Sequence, residues 1–230
     1  MVGPLPQPVK QLDGSPQQHV NCGPATAACG LSHEDFNHFI PSPTAIRSRG
    51  NMGPGGTDFA ELKRGIEGFT TEFAGFGYQA PKLIRLGYVT FAELVQTLIQ
   101  PSLFHVTAIN YTPVIAQPEY AGDKSYTGNH FIGAVRIYEA LSGDRYHRLR
   151  PRELGRVTQW LGAGMPTPAR FWTFVLDPLA DGRRPHIPQA PQLWPLALYL
   201  EAGDRFNDKS PFDGKLTAAV MPRIAKEVQP

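Results

Sequence analysis

Apolar positions in this chain fall into short blocks separated by Gly and Pro, and both helical and strand periods can be read from them. Asp58-Phe59-Ala60-Glu61 and Thr90-Phe91-Ala92-Glu93 each set a cap residue three positions ahead of a glutamate. That pattern predicts helices over 58–67 and 90–100. Cys22-Gly23-Pro24 followed by small helix-formers predicts another helix over 22–30. Pro24 fits its first turn, where the missing N–H costs no helical bond. A second short helix is expected near 33–39. Runs rich in β-branched and aromatic residues predict strands over 82–86, 103–111, 131–138 and 171–176. Residues 1–20, 41–56, 116–128 and the turn-rich 181–188 read as irregular. Residues 192–200 read as a helix, 201–230 show no clear period, and no internal repeat is present.

Helices come first and strands later, which indicates an α+β fold rather than alternating βαβ units. A chain of 230 residues can bury a full core. One large domain over 1–182 is expected, with 183–230 as a C-terminal extension that serves a docking partner. The 41% hydrophobic and 18% charged content is that of a globular protein. At a net charge of +2 with no long Lys/Arg block (Arg183-Arg184 is too short), no nucleic-acid partner is expected. No apolar run approaches a membrane span. Met1-Val2-Gly3-Pro4-Leu5-Pro6 lacks the features of a signal peptide, so a cytoplasmic or virion-associated location is expected.

The chemistry centres on Cys22. A thiol at a helix N-terminus sits near partial positive charge and unpaired N–H groups, which favour the thiolate. Cys29 lies seven positions on, about 10 Å along the same helix, too far for a disulfide. It reads as a small buried residue. A nucleophilic cysteine needs a base from elsewhere in the chain and a third group to orient that base. His130 opens an apolar run after a turn, and Asp177 closes the run 171–176 just before Pro178. His19 is too local to be the base. The other histidines have no metal-ligand spacing, so neither metal nor cofactor is expected. Trp160, Trp172 and Trp194 read as core, and the glycine-rich 50–56 as a loop beside the cleft rather than a phosphate loop.

Four segments, Gln11-Leu12-Asp13, Asn21-Cys22-Gly23-Pro24-Ala25, Gly128-Asn129-His130-Phe131-Ile132 and Val175-Leu176-Asp177-Pro178, together resemble the bacteriocin-leader (double-glycine) type of papain-like cysteine peptidase. The resemblance covers roughly residues 9–180. It implies a papain-like fold, in which an N-terminal nucleophile helix packs on a later antiparallel sheet. It further implies Cys22 as nucleophile, His130 as base and Asp177 as its orienter. The family's Gly-His-Phe appears here as Asn129-His130-Phe131. Its oxyanion glutamine usually stands six positions before the cysteine, where this chain has Pro16, which carries no donor. Gln11 matches the local Gln-apolar-Asp pattern but lies eleven positions ahead; Gln17 is the runner-up, closer in spacing. The activity implied is hydrolysis of amide bonds in peptides, peptidoglycan peptides among them, in a phage or bacterial cell-wall setting. Alternatives are an amidase or acyltransferase on the same fold, and a catalytically modest or inactive papain-like structural component such as part of a phage virion or tail.

Overall fold

The computed structural model describes residues 6, 9, 11, 14–32, 40–121, 125–126, 128–143, 145–179, 192–207 and 213–226. The expected short helix near 33–39 and the linker 181–188 lie outside them. In chain order the elements are α1 (Cys22–Leu31), α2 (Pro43–Gly50), α3 (Phe59–Glu67), α4 (Thr70–Gly75), β1 (Ile84–Thr90), α5 (Phe91–Leu98), β2 (Leu103–Asn110), α6 (Thr112–Ile115), β3 (Asn129–Ala140), β4 (Tyr146–Arg148), α7 (Leu154–Gly162), β5 (Phe171–Leu176), β6 (Gln192–Pro195), α8 (Leu196–Asp204) and β7 (Lys215–Pro222). The fold is mixed α+β, as the element order predicted.

The strands form one antiparallel sheet in the order β1-β7-β2-β3-β5-β6, with β4 paired to the far end of β3. Both faces are covered. Phe104, Val106, Phe131 and Val135 join α1, α3 and α4 in one core, whereas Ile109, Ile132, Trp194 and Leu216 join α5, α7 and α8 in the other. The central strands are therefore apolar on both sides, and their sequence shows runs rather than alternation. A bulge in β3 at Arg136 (φ 64°) shifts the register against β5, so Val135 faces α1 while Ile137 faces the opposite core.

Both sequence-predicted capping boxes are present, at Asp58/Glu61 and Thr90/Glu93. Three local readings need correction. Residues 41–56 hold a helix, α2, capped by Ser42, whose side chain accepts the Ala45 N–H at 3.1 Å, and begun by Pro43. Residues 192–195 are a strand, not the start of a helix, because Leu193 and Trp194 pair with Phe174 and Thr173. The stretch after 182 is not an appendage. It supplies β6, α8 and β7, and β7 lies between β1 and β2 in the sheet.

Candidate active site

Helix α1 is built to lie close against the sheet. Nine of its ten residues, 23–31, are buried, and most are Gly, Ala or another small residue. A Cβ on Gly30 would meet Phe104 Cδ1 at 2.7 Å, and one on Gly23 would meet Thr57 Cγ2 at 2.6 Å. Only glycine allows approaches this close. Thr26 Oγ1 donates to the carbonyl of Phe131 at 3.0 Å, which ties the second turn of α1 to the strand residue next to His130. Cys22 thus stands half-buried at the helix start, one turn from that tether.

His130 is the second residue of β3, and Asp177 follows the last residue of β5. Because these strands pair with Gly133 opposite Leu176, the two side chains meet. His130 Nε2 lies 2.9 Å from Asp177 Oδ1, and both side chains are almost fully buried. The same carboxylate accepts the Leu179 N–H at 2.9 Å on Oδ1 and the Tyr111 hydroxyl on Oδ2. Aspartate here is an acceptor filled by three donors, so it fixes the ring without needing a proton of its own. With Nε2 committed to Asp177, the ring's Nδ1 is buried without a hydrogen-bond partner among the described residues, and Cys22 is the group whose charge it couples to.

The electrostatics follow from that pairing. Burial pushes the Cys22 thiol up, but the His130 ring, with the amides of Phe131 and Gly23, outweighs it and holds the thiol below its ordinary value. Burial pushes the His130 ring down, while its interactions with Asp177 and Cys22 win and raise it to about 9. Both shifts run in the direction that favours a thiolate beside an imidazolium. Cys29 on the same helix is the contrast: burial pushes it up to about 12, and its sulfur accepts the Val9 N–H at 3.1 Å.

Gln11 is buried beside these groups. Its backbone N–H donates to Pro178 O at 3.2 Å, and its Nε2 donates to His19 O at 3.0 Å. It therefore bridges the residue after Asp177 and the loop leading to Cys22. Its amide nitrogen has a second hydrogen beyond the one given to His19. Gln17 lines a different cavity, with Thr44, Ser48 and Pro54. His19 is exposed, as expected. Trp160 and Trp194 are core residues; Trp172 is half-buried against Tyr120 and Tyr146. Among the described residues no group of three His, Cys, Asp or Glu is placed to hold a metal. No helix among them is long and apolar enough to cross a membrane.

Three contributors escaped the sequence reading. Tyr111 and Tyr126 pack on the imidazole, with ring centroids 5.3 and 5.4 Å away. Only the β2–β3–β5 pairing brings Tyr111 to Asp177. Arg47, on α2 and buried, donates to Val20 O (2.6 Å), Asn21 Oδ1 (2.8 Å) and Gly53 O (2.6 Å). It thereby links the residues just before Cys22 to the glycine-rich loop. The Ser42-Pro43 helix start was the available signal for it. Comparisons with protein-family models, curated proteins and solved structures yield no match.

Proposed function

We propose that this chain is a papain-like cysteine hydrolase that cleaves amide bonds in peptides. The observation that carries this reading is the Cys22–His130–Asp177 arrangement: Asp177 holds the buried imidazole at 2.9 Å and raises it, and the imidazole lowers the Cys22 thiol. A nucleophile helix lying on an antiparallel sheet and the motif resemblance at all three positions add support.

The chemistry proceeds in two halves. The Cys22 thiolate attacks the carbonyl carbon, and the Cys22 backbone N–H at the helix start, with Gln11 Nε2, holds the oxyanion. As the C–N bond breaks, the His130 imidazolium gives its proton to the departing amine, leaving a thioester on Cys22. His130, now neutral, takes a proton from water, whose oxygen attacks the thioester. The acid leaves, and the thiolate–imidazolium pair is restored. A cavity of about 320 Å³ bordered by Thr57, Phe59, Phe131 and Phe206 lies beside Gly23, the residue after Cys22. Thr57 lies against Gly23, so an apolar side chain of a substrate held at Cys22 would seat there.

The test combines reactivity with turnover. Cys22 should alkylate with iodoacetamide well below pH 8 while Cys29 resists, as read by peptide mass spectrometry. Fluorogenic peptides with a large apolar residue beside the scissile bond should be cleaved by the intact protein and not by Cys22→Ala. Equal labelling of the two cysteines, with no peptide cleaved, would replace this reading with that of a structural component. Transfer of the acyl group to an added amine in preference to water would make it an acyltransferase.

A further inference from the structure

The densest positive charge in the chain lies well away from the cleft, in residues 141–156, which span the turn after β3, the strand β4 and the start of α7. This stretch holds Arg145, Arg148, Arg150, Arg152 and Arg156 against two carboxylates, Asp144 and Glu153. Its net of three positive charges exceeds the +2 of the whole chain, so the remainder is slightly acidic. The arginines alternate with apolar and turn residues, which is why no charged block shows in the sequence. Arg156 is held by Glu139 and Glu153, and His147 by Glu153. Arg150 and Arg152 are exposed, with no ion pair among the described residues. Tyr146, His147, Arg148 and Arg150, with Ile99 and Pro101, line an open cavity of about 540 Å³.

The same turn carries an apolar tip. Among the described residues five large apolar side chains are strongly exposed, and two of them are Leu141 (48%) and Tyr146 (41%). The hairpin places them on its two faces at the same end: the Leu141 N–H donates to Arg145 O at 2.8 Å, and the neighbouring Ala140 pairs with Tyr146. Edge-on packing against Trp172 at 5.8 Å braces the Tyr146 ring.

We propose that this hairpin docks the protein onto an anionic phospholipid surface. Leu141 and Tyr146 enter the boundary between headgroups and acyl chains, where an aromatic ring with one polar end is at home. The surrounding arginines face the lipid phosphates, and the cavity beside Arg148 and Arg150 receives a headgroup. Two apolar side chains offer far too little area for a stable protein interface. A soluble polyanion, for its part, would have no use for Leu141. From Ala140 to His130 the strand runs ten residues, or roughly 33 Å, so a docked molecule keeps its cleft open to solution.

The test is co-sedimentation of the full chain with vesicles of phosphatidylcholine alone and of equimolar phosphatidylcholine and phosphatidylserine. Binding should appear on the mixed vesicles only and weaken as salt rises. Each arginine removed should weaken binding about fivefold. Arg150→Glu with Arg152→Glu should therefore weaken it at least about 25-fold. Leu141→Ser with Tyr146→Ser should also release the protein. All four side chains are exposed, and circular dichroism checks that the variants stay folded. No binding, or equal binding to neutral vesicles, overturns the proposal. So does full retention by the Leu141→Ser/Tyr146→Ser variant together with equally tight binding of inorganic polyphosphate, which would make the patch a soluble-polyanion site.

Discussion

Replacing Tyr111 by phenylalanine removes one hydroxyl and leaves the ring that packs on His130 in place. The hydroxyl is the donor to Asp177 Oδ2, and both residues are buried, Tyr111 at 0% and Asp177 at 2% exposure. A hydrogen bond to a charged group contributes about 1.5–3 kcal/mol, so Tyr111→Phe should lose about that much unfolding free energy at pH 7. The second consequence concerns the proton. With one donor fewer, the carboxylate carries more charge on the Oδ1 side that faces His130. The imidazolium is then held more tightly, and its titration midpoint should rise above about 9 by roughly one pH unit. Asp177→Asn should act in the opposite sense and drop the midpoint toward 6.5, the ordinary histidine value. Urea unfolding measures the first effect, and NMR titration of the His130 ring protons measures the second. A midpoint that falls in Tyr111→Phe as it does in Asp177→Asn would refute the reasoning. Unchanged stability would do so equally.

Gln11→Ala should cut peptide turnover by roughly 10²–10³ yet leave Cys22 alkylation unchanged, because alkylation forms no oxyanion; Gln17→Ala should leave both intact, and a loss there instead would move the oxyanion role to the shorter spacing. His105 is fully buried on β2, and burial lowers its pKa to about 4 from 6.5. The unfolded chain therefore binds more protons between those values. Stability is fully present above pH 6.5, is lost as pH falls toward 4, and the loss amounts to about 3 kcal/mol. In His105→Leu, urea unfolding at pH 7 and pH 4.5 should show that acid loss shrink. Arg47→Lys should destabilise the fold and slow Cys22 alkylation, since a point charge cannot reach Val20, Asn21 and Gly53 together; a wild-type alkylation rate would show that the Arg47 links do not position the thiol.

What the sequence disclosed and what it withheld divide along physical lines. Capping boxes at Asp58 and Thr90 are local chemistry, and both were legible within four residues. Cys22, His130 and Asp177 were legible because their chemistry narrows the choice: one thiol at a helix start, a histidine opening a strand, an acid closing one. Strand β7 was not legible. Its Ala218 and Ala219 are weak strand-formers, and its place is set by pairing with β1 and β2 on either side. Tyr111 was hidden for the same reason: its partner lies 66 residues away and is reached only through two strand pairings. The bulge at Arg136 compounds this, since it exchanges the faces of β3 partway along and blurs any alternation.

The position of β7 also sets the order of events during synthesis. The strand is the last of the seven in sequence, yet among the described residues it alone joins β1 to the other strands of the sheet. Until β7 has emerged, β1 has no strand joining it to the paired β2, β3, β5 and β6 among the described residues, and α5 packs on β2 and β3 without it. Phe104 and His105 of β2 then present open backbone that Met221 and Val220 will later pair. Met221, which packs against Gly30 of α1, is missing from beneath the nucleophile helix over the same interval. An unpaired central strand is an invitation to wrong partners, and contacts so distant in sequence form slowly. The thiol therefore acquires its fixed setting only after β7 has joined the sheet, and a molecule cut short before β7 carries Cys22, His130 and Asp177 without the platform that aligns them.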